Sequence, residues 1–288
     1  MIRFEDRAAI VTGAGRGIGY AYAELLASRG ARVVVHDIGA NEDGTSQDPT
    51  VAEMAAERLR SQGYNTRAAY GPIDSRDGCR ALVEETISAF GRVDILIHNA
   101  GWVGYQKIEE LEPDFLARMT KLGVETPLWL AQAAWPTMKA QGYGRILLTT
   151  SDRALYPEYV QSGLAAYAAA KMATVGITNV LAHEGEPYGI LVNAMSPVAK
   201  TRMWGVAGEP DELRPDAVAP GAAFLVSEAC RASAWVLRAS NGQFHAFKAC
   251  EAEGVDYPRD LRAVSVDSLE AVAAAWDDIA IAASEARR

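Results

Sequence analysis

Tyr167 and Lys171 stand one helical turn apart in Tyr-Ala-Ala-Ala-Lys, inside an Ala-rich stretch from Gly163 to His183. On a helix that spacing puts both side chains on one face, an ammonium beside a phenol. A phenol needs such help to act as an acid or base near neutrality. Its ordinary pKa is ~10, and a close positive charge favours the phenolate. Lys171 is therefore expected to depress the pKa of Tyr167, and the pair is a candidate proton-transfer site. By itself the spacing also suits a surface helix with an ordinary tyrosine and lysine.

A second candidate lies near the start of the chain. Thr12-Gly13-Ala14-Gly15-Arg16-Gly17-Ile18-Gly19 follows an apolar run and opens a helical pattern. Glycines there permit a tight turn and close backbone approach, while a helix N-terminus offers free N–H groups and partial positive charge to a pyrophosphate. The spacing is G-x-x-x-G-x-G rather than the common dinucleotide fingerprint, because Ile18 stands where a glycine would be needed. Asp37 ends the second apolar run, eighteen residues past Gly19. A carboxylate at that place accepts hydrogen bonds from an adenosine ribose and repels a 2′-phosphate, which favours NAD over NADP. Arg16 is the competing signal, since a guanidinium can pair with a 2′-phosphate. Asp74 is either a helix N-cap, the role its position favours, or a contact on the adenine side.

These residues need a frame, and the alternation along the chain supplies one. Strands are expected at Ala8 to Val11, Arg32 to His36, Arg67 to Tyr70, Val93 to His98, Arg145 to Thr149, Ile190 to Met195 and Gln243 to Phe247. Several are apolar almost throughout, as strands covered on both faces must be. Helices are expected at Ile18 to Ser28, Thr50 to Gln62, Arg76 to Phe90, Asp114 to Gln141, Leu164 to Glu186 and Asp216 to Val226. The order implies a single α/β domain over residues 1–250: a doubly wound, Rossmann-type parallel sheet of about seven strands with helices on both faces. Ligands of such sheets bind at the carboxyl ends of the strands, where the order reverses. Residues 198–215 read as a mobile segment over the site. Residues 251–288 form an extension with a helix at about 267–283, capped by Asp267 with Glu270 at the capping-box position, suited to packing on the body or on a partner subunit.

Composition narrows the partners. A net charge of −9 argues against nucleic acid or an anionic membrane as the main partner. Cys79, Cys230 and Cys250 are odd in number and widely spaced, and His36, His98, His183 and His245 form no ligand cluster. That pattern fits a reducing compartment, with no zinc site and no disulfide framework. Residues 1–12 carry no signal pattern and no apolar run reaches membrane length, so the expectation is cytoplasmic.

In order, Thr12-Gly13-x-x-x-Gly17-x-Gly19, Asn99-Ala100-Gly101, Ser151, Tyr167-x-x-x-Lys171 and Asn193-x-x-x-Pro197 resemble the short-chain dehydrogenase/reductase family from about Asp6 to Phe247. Within it the chain is similar to the (3R)-hydroxyacyl-CoA dehydrogenase domain of peroxisomal multifunctional enzymes. Val34-Val35-His36-Asp37-Ile38-Gly39, Ala133-Ala134-Trp135, Tyr143-Gly144-Arg145-Ile146 and Ser196-Pro197 through Arg202-Met203 carry that likeness. The resemblance implies that Tyr167 exchanges a proton with a substrate alcohol or carbonyl, that Lys171 holds the nicotinamide ribose, and that Ser151 hydrogen-bonds the substrate oxygen. Asn99, Ala100 and Gly101 would line the cofactor cleft beside Gly13, Arg16, Gly17, Ile18, Gly19, Asp37 and Asp74. Pro197 and Thr201 would meet the nicotinamide, and a homo-tetramer or homo-dimer is implied.

Two departures stand out. The family's serine usually lies about thirteen residues before the tyrosine, whereas Ser151 lies sixteen before Tyr167. Ala154 occupies the usual interval and Ser162 is the weaker alternative, so the Asp152 to Gly163 loop reads as lengthened. The helix asparagine with which many members hold a proton-relay water is replaced by Gly123. Around the expected pocket stand Trp102, Tyr105, Tyr156, Tyr159, Met203 and Trp204, a set suited to a bulky apolar substrate and equally to ordinary packing. The expected activity is NAD-dependent interconversion of a bulky apolar secondary alcohol and its ketone. The alternatives are (3R)-hydroxyacyl-CoA dehydrogenation, for which Arg153 and Lys200 are the cations available to CoA phosphates, and a non-catalytic nucleotide-sensing protein on the same scaffold.

Overall fold

The structure, a computed structural model, describes residues 1–41, 44, 46–202 and 210–280. Met1–Phe247 makes one compact unit and Lys248–Arg288 another. The first unit holds an eight-stranded sheet: β1 (Ala8–Thr12), β2 (Arg32–His36), β3 (Thr66–Ala69), β4 (Ile95–His98), β5 (Gly144–Thr149), β6 (Ile190–Val198), β7 (Val236–Ser240) and β8 (Gln243–Phe247). Their spatial order is β3-β2-β1-β4-β5-β6-β7-β8. All neighbours pair in parallel except β7 and β8, which form an antiparallel hairpin.

The sheet is therefore the expected doubly wound one with a strand more than anticipated. Val236–Ser240 escapes a reading by apolar runs because Arg238 interrupts it. Asn241-Gly242 between the two strands is the turn sequence of a tight hairpin, and both residues take positive φ (49° and 76°).

Helices cover both faces. α1 (Gly17–Ser28), α2 (Thr50–Arg60) and α8 (Ala219–Leu225) pack on one, and α3 (Arg76–Phe90), α5 (Thr126–Gln141) and α7 (Ala165–Gly185) on the other. Each face buries its own core. Val11, Val33, Val35, Leu26 and Leu59 belong to the first, and Ile10, Leu96, Leu130, Met138 and Ile146 to the second. Strand residues alternate between these cores, which is why β1 and β4 are apolar at every position but the last.

The long helix expected over Asp114 to Gln141 is divided. α4 (Pro113–Thr120) leads into a π-helical segment, Lys121–Glu125, and then into α5. Such bulges recur at functional sites. The lengthened loop after β5 holds α6 (Asp152–Leu155) and a 3₁₀ turn, Pro157–Tyr159. In the second unit, helical residues are Leu269–Ala274 (α9) and Trp276–Ile279 (α10), and the cap is Ser268, whose hydroxyl accepts from the Ala271 N–H at 3.2 Å. That corrects the assignment of Asp267 as cap. The stretch beyond Ala280 lies outside the described residues.

Candidate active site

The order reverses between β1 and β4, and a cleft opens there. Gly13 turns the chain at φ +63°, and a Cβ on it would lie 2.9 Å from the Ala100 Cα, so only glycine lets the two loops approach this closely. A Cβ on Gly19 would overlap the Gly13 carbonyl oxygen. Gly19 thus packs the helix against the turn and does not line the cleft. At the start of α1, Arg16 provides no side-chain cap and the first turn has no acidic residue. The open N–H groups and positive dipole end are left for an anion.

A cavity of about 360 Å³ occupies this cleft. Gly13, Arg16, Gly17, Ile18, Asp37, Asp74, Asn99, Ala100, Gly101 and Thr201 all line it. Both oxygens of Asp37 are held, one accepting from Gly15 N–H at 2.9 Å and the other from Gly39 N–H at 2.8 Å. Asp74 is not the cap of α3. Ser75 takes that place, its hydroxyl accepting from Gly78 N–H at 3.1 Å, and Asp74 faces the cleft. Pro197 sits in β6 opposite Ala239 and is not part of the lining. Arg118, Lys121 and Arg202 are lining residues that motif reading missed. Arg118 and Lys121 lie on the α4 and π-helical run, which carries no motif, so only the tertiary arrangement brings their charges to the Gly-rich turn.

The candidate proton-transfer residues stand outside the cleft lining itself, with Lys171 bordering it at Gly101. Tyr167 is 8% exposed and packs with Met119, Leu164, Ala166 and Ala170. Its phenol lies beside Ser151, the N-cap of α6. Burial raises its pKa, opposed by the Ser151 hydroxyl and the charge of Arg153, with Tyr105 adding a further upward push. The expected depression by Lys171 is corrected accordingly. The ammonium lies 5.8 Å from the Tyr167 ring centre, and the groups that favour the phenolate come from the serine segment.

Lys171 is partly buried, and that burial lowers its pKa to about 8. Its Nζ donates to the Thr149 carbonyl at 2.9 Å, and a Cβ on Gly101 would meet Nζ at 3.4 Å. The lysine therefore joins the tyrosine helix to the cleft wall. His98, at the end of β4, is also buried. One ring nitrogen contacts the Thr12 hydroxyl at 3.1 Å and the other the Leu122 carbonyl at 3.1 Å. Burial and the charge of Lys171 push its pKa down to about 3.

Gly123 faces α7 inside the π-helical segment. A Cβ there would sit 2.7 Å from that of Ala170, the residue before Lys171. We expect Gly123→Ala to destabilise the protein by about 1–3 kcal/mol through overpacking and to lower turnover by displacing the tyrosine and lysine together. Urea unfolding alongside steady-state assay checks this; unchanged stability would mean that α7 can give way without loss.

The expected pocket aromatics separate into groups. Trp102 lines the cleft, edge-on to Phe115 with centroids 5.1 Å apart and with the Arg118 guanidinium 4.8 Å from its ring. The Tyr105 hydroxyl donates to Gln161 at 2.9 Å and accepts from Arg153 at 2.7 Å. Tyr156 and Tyr159 pack edge-on with centroids 5.9 Å apart, and neither lines the cleft. Met203 and Trp204 lie outside the described residues. Ser162, the weaker serine candidate, is exposed.

The sequence profile of the short chain dehydrogenases matches residues 7–211. The chain belongs to that family. As a short-chain dehydrogenase it is an oxidoreductase, and its similarities agree with the geometry. A putative short-chain type dehydrogenase/reductase of Mycobacterium tuberculosis is 32% identical over 278 residues, 96% of this chain and 94% of that one. The peroxisomal multifunctional enzyme type 2 of Drosophila melanogaster is 37% identical over 234 residues, 80% of this chain but 38% of that protein. The short-chain dehydrogenase described here thus spans well under half of that relative. A solved short chain dehydrogenase from Mycobacterium avium superposes with a TM-score of 0.79 at 27% identity, covering 96% of this chain and 95% of the other. No helix among the described residues is long and apolar enough to cross a membrane, and none of their His, Cys, Asp and Glu side chains gather into a metal-holding group.

Proposed function

We propose that this dehydrogenase interconverts a bulky apolar secondary alcohol and its ketone with NAD, Tyr167 acting as the acid and base. One observation carries the reading: a buried phenol lies beside Ser151 and stands one helical turn from an ammonium that reaches the cleft wall at Gly101. The Gly-rich turn, the open α1 N-terminus and the cavity fit a dinucleotide, with the pyrophosphate at Gly13 to Ile18 and the adenosine ribose at Asp37. Bound there, NAD would supply the hydride acceptor for oxidation and NADH the donor for reduction.

In oxidation, Tyr167 takes the alcohol proton while the Ser151 hydroxyl holds the same oxygen. In reduction, both groups donate toward the oxygen as negative charge develops on it. Lys171, whose Nζ borders the cleft at Gly101, offers its N–H groups to the nicotinamide ribose.

Asp37 supports the choice of NAD, because its carboxylate is pinned toward the ribose end and would repel a 2′-phosphate. Asp37→Ser is expected to raise the ratio of kcat/KM for NADP over NAD roughly tenfold or more, since it removes a like-charge penalty. An unchanged ratio would assign cofactor choice to Arg16 and Arg202 instead.

The multifunctional relatives favour a second reading, oxidation of a 3-hydroxyacyl thioester. Of the two cations available to CoA phosphates, however, Lys200 is paired with Glu212 at 2.6 Å. A screen of 1-phenylethanol, borneol, a 17β-hydroxysteroid and (3R)-3-hydroxydecanoyl-CoA, each with NAD and NADP, separates the readings by nicotinamide absorbance. Tight cofactor binding with no turnover would point to the nucleotide-sensing alternative. We place the enzyme in a reducing compartment, the cytoplasm, on its three free cysteines. We also propose a homo-dimer or homo-tetramer, on the exposure of Met172 and Val180 along α7.

A further inference from the structure

The serine of this site opens a lengthened segment, and a longer segment needs an anchor if its first side chain is to be held to a fraction of an ångström. Ser151 starts that segment in an extended conformation, φ −154° and ψ 139°. Asp152 follows it and is tied on two sides. Its carboxylate accepts from Arg238 Nε at 3.1 Å to each oxygen and from Arg238 Nη2 at 2.9 Å, while Oδ1 also accepts from the Ser196 hydroxyl at 2.7 Å. Ser196 belongs to β6 and Arg238 to β7, so two adjacent strands hold the first turn after the serine.

The far end of the segment closes on the same cation. The Arg238 guanidinium lies 4.2 Å from the Tyr156 ring centre and 5.9 Å from that of Tyr159. Side-chain exposure is 14% for Asp152 and 27% for Arg238. A forked, partly buried guanidinium–carboxylate pair fixes direction as well as distance, which a single point charge does not.

The geometry points to Asp152 and Arg238 as a positioning pair for the reaction, holding the Ser151 hydroxyl on Tyr167 and thereby setting the seat of the substrate oxygen. This rests on the roles proposed above for Ser151 and Tyr167. Of the groups facing Tyr167, those that favour its phenolate, Ser151 and Arg153, both belong to the segment the pair anchors, whereas burial and Tyr105 oppose it. Releasing the anchor withdraws both favourable groups together. Lys171, on the tyrosine's own helix, stays in place.

The test compares Arg238→Gln, Arg238→Lys and Asp152→Asn with the wild type and Tyr167→Phe, using NAD and whichever alcohol of the panel above is oxidised fastest. Arg238→Gln and Asp152→Asn should lower kcat about 10- to 100-fold, the loss a displaced catalytic group brings, with KM for NAD within about threefold because the cofactor turn is untouched. Their kcat profiles should move to higher pH, since a phenol with fewer supporting groups ionises later. Arg238→Lys keeps the charge without the fork and should recover part of the rate. Hydrogen exchange should quicken at the amides of Ala154, Leu155 and Tyr156, which bond the Ser151 and Asp152 carbonyls, and stay unchanged in β5. Turnover within twofold of wild type, an unshifted pH profile, or exchange that quickens across the whole sheet would overturn the pair's positioning role. An inactive wild type, or full activity in Tyr167→Phe, would instead bring down the functional reading on which it rests.

Discussion

Tyr167→Phe is expected to lower turnover by roughly 10²–10⁴-fold, the usual contribution of a positioned acid or base, while leaving cofactor affinity nearly intact. The substitution removes one hydroxyl from a side chain that is 8% exposed and otherwise packed on apolar neighbours. The ring stays in place, and the loss should therefore fall on kcat rather than on folding. Nothing in the cleft lining is altered, since Tyr167 is absent from it. Stopped-flow absorbance of the reduced nicotinamide gives the rate, and quenching of protein fluorescence by the cofactor gives the affinity. A variant within tenfold of wild-type turnover would mean that the proton goes elsewhere.

Lys171→Met should separate stability from activity. Burial holds the folded-state pKa of Lys171 at about 8, below its ordinary value of 10.5. Between those values the unfolded chain binds a proton the folded chain has released, so this group makes the ligand-free protein more stable as the pH rises through that window. Below about pH 8 the folded protein carries the whole burden of a buried ammonium, relieved in part by the Thr149 carbonyl. Replacing it by methionine at pH 7 should raise unfolding stability on the order of 1–3 kcal/mol, and the gain should shrink above pH 10. Turnover should fall by at least roughly 10²-fold, because the nicotinamide ribose loses its anchor beside the reacting carbon. Urea titrations at pH 7 and pH 10.5 measure the first effect. A variant less stable than wild type at pH 7 would show that the Thr149 bond outweighs the burial of charge.

The parts of this enzyme readable from its sequence are those that depend on local chemistry. Gly13 and Gly19 announce a turn that no larger residue can make, and unbroken apolar runs announce strands covered on both faces. Tyr167 and Lys171 share a helix, so their spacing alone sets their common face. Arg118, Lys121 and Arg202 could not be read this way, because their place at the cleft depends on how α4 and the stretch after β6 fold back over the Gly-rich turn.

Two misreadings have one origin. β7 was missed because Arg238 looks like a surface residue, and its reason for standing in a strand, Asp152, lies 86 positions away in the chain. The tyrosine's electrical environment was assigned to Lys171 because the two are neighbours along the helix. Distance and burial in three dimensions hand that role to Ser151 and Arg153 instead. Pairings of this kind leave no periodicity and no motif.

The row formed by Thr12, His98 and Leu122 has a fixed polarity. The Thr12 hydroxyl oxygen already accepts from the N–H groups of Asn99 and Ala100, at 3.1 and 3.0 Å, so its single hydrogen must point to the ring nitrogen of His98. A carbonyl can only accept, so the other ring nitrogen carries the hydrogen given to Leu122. Every hydrogen in the row thus points from β1 toward the π-helical segment, and reversing any one would leave two buried donors or two buried acceptors facing each other. The row ends on a backbone carbonyl, which cannot take up and pass on a proton, so it braces the π-helical segment against β1 and β4 without serving as a proton path.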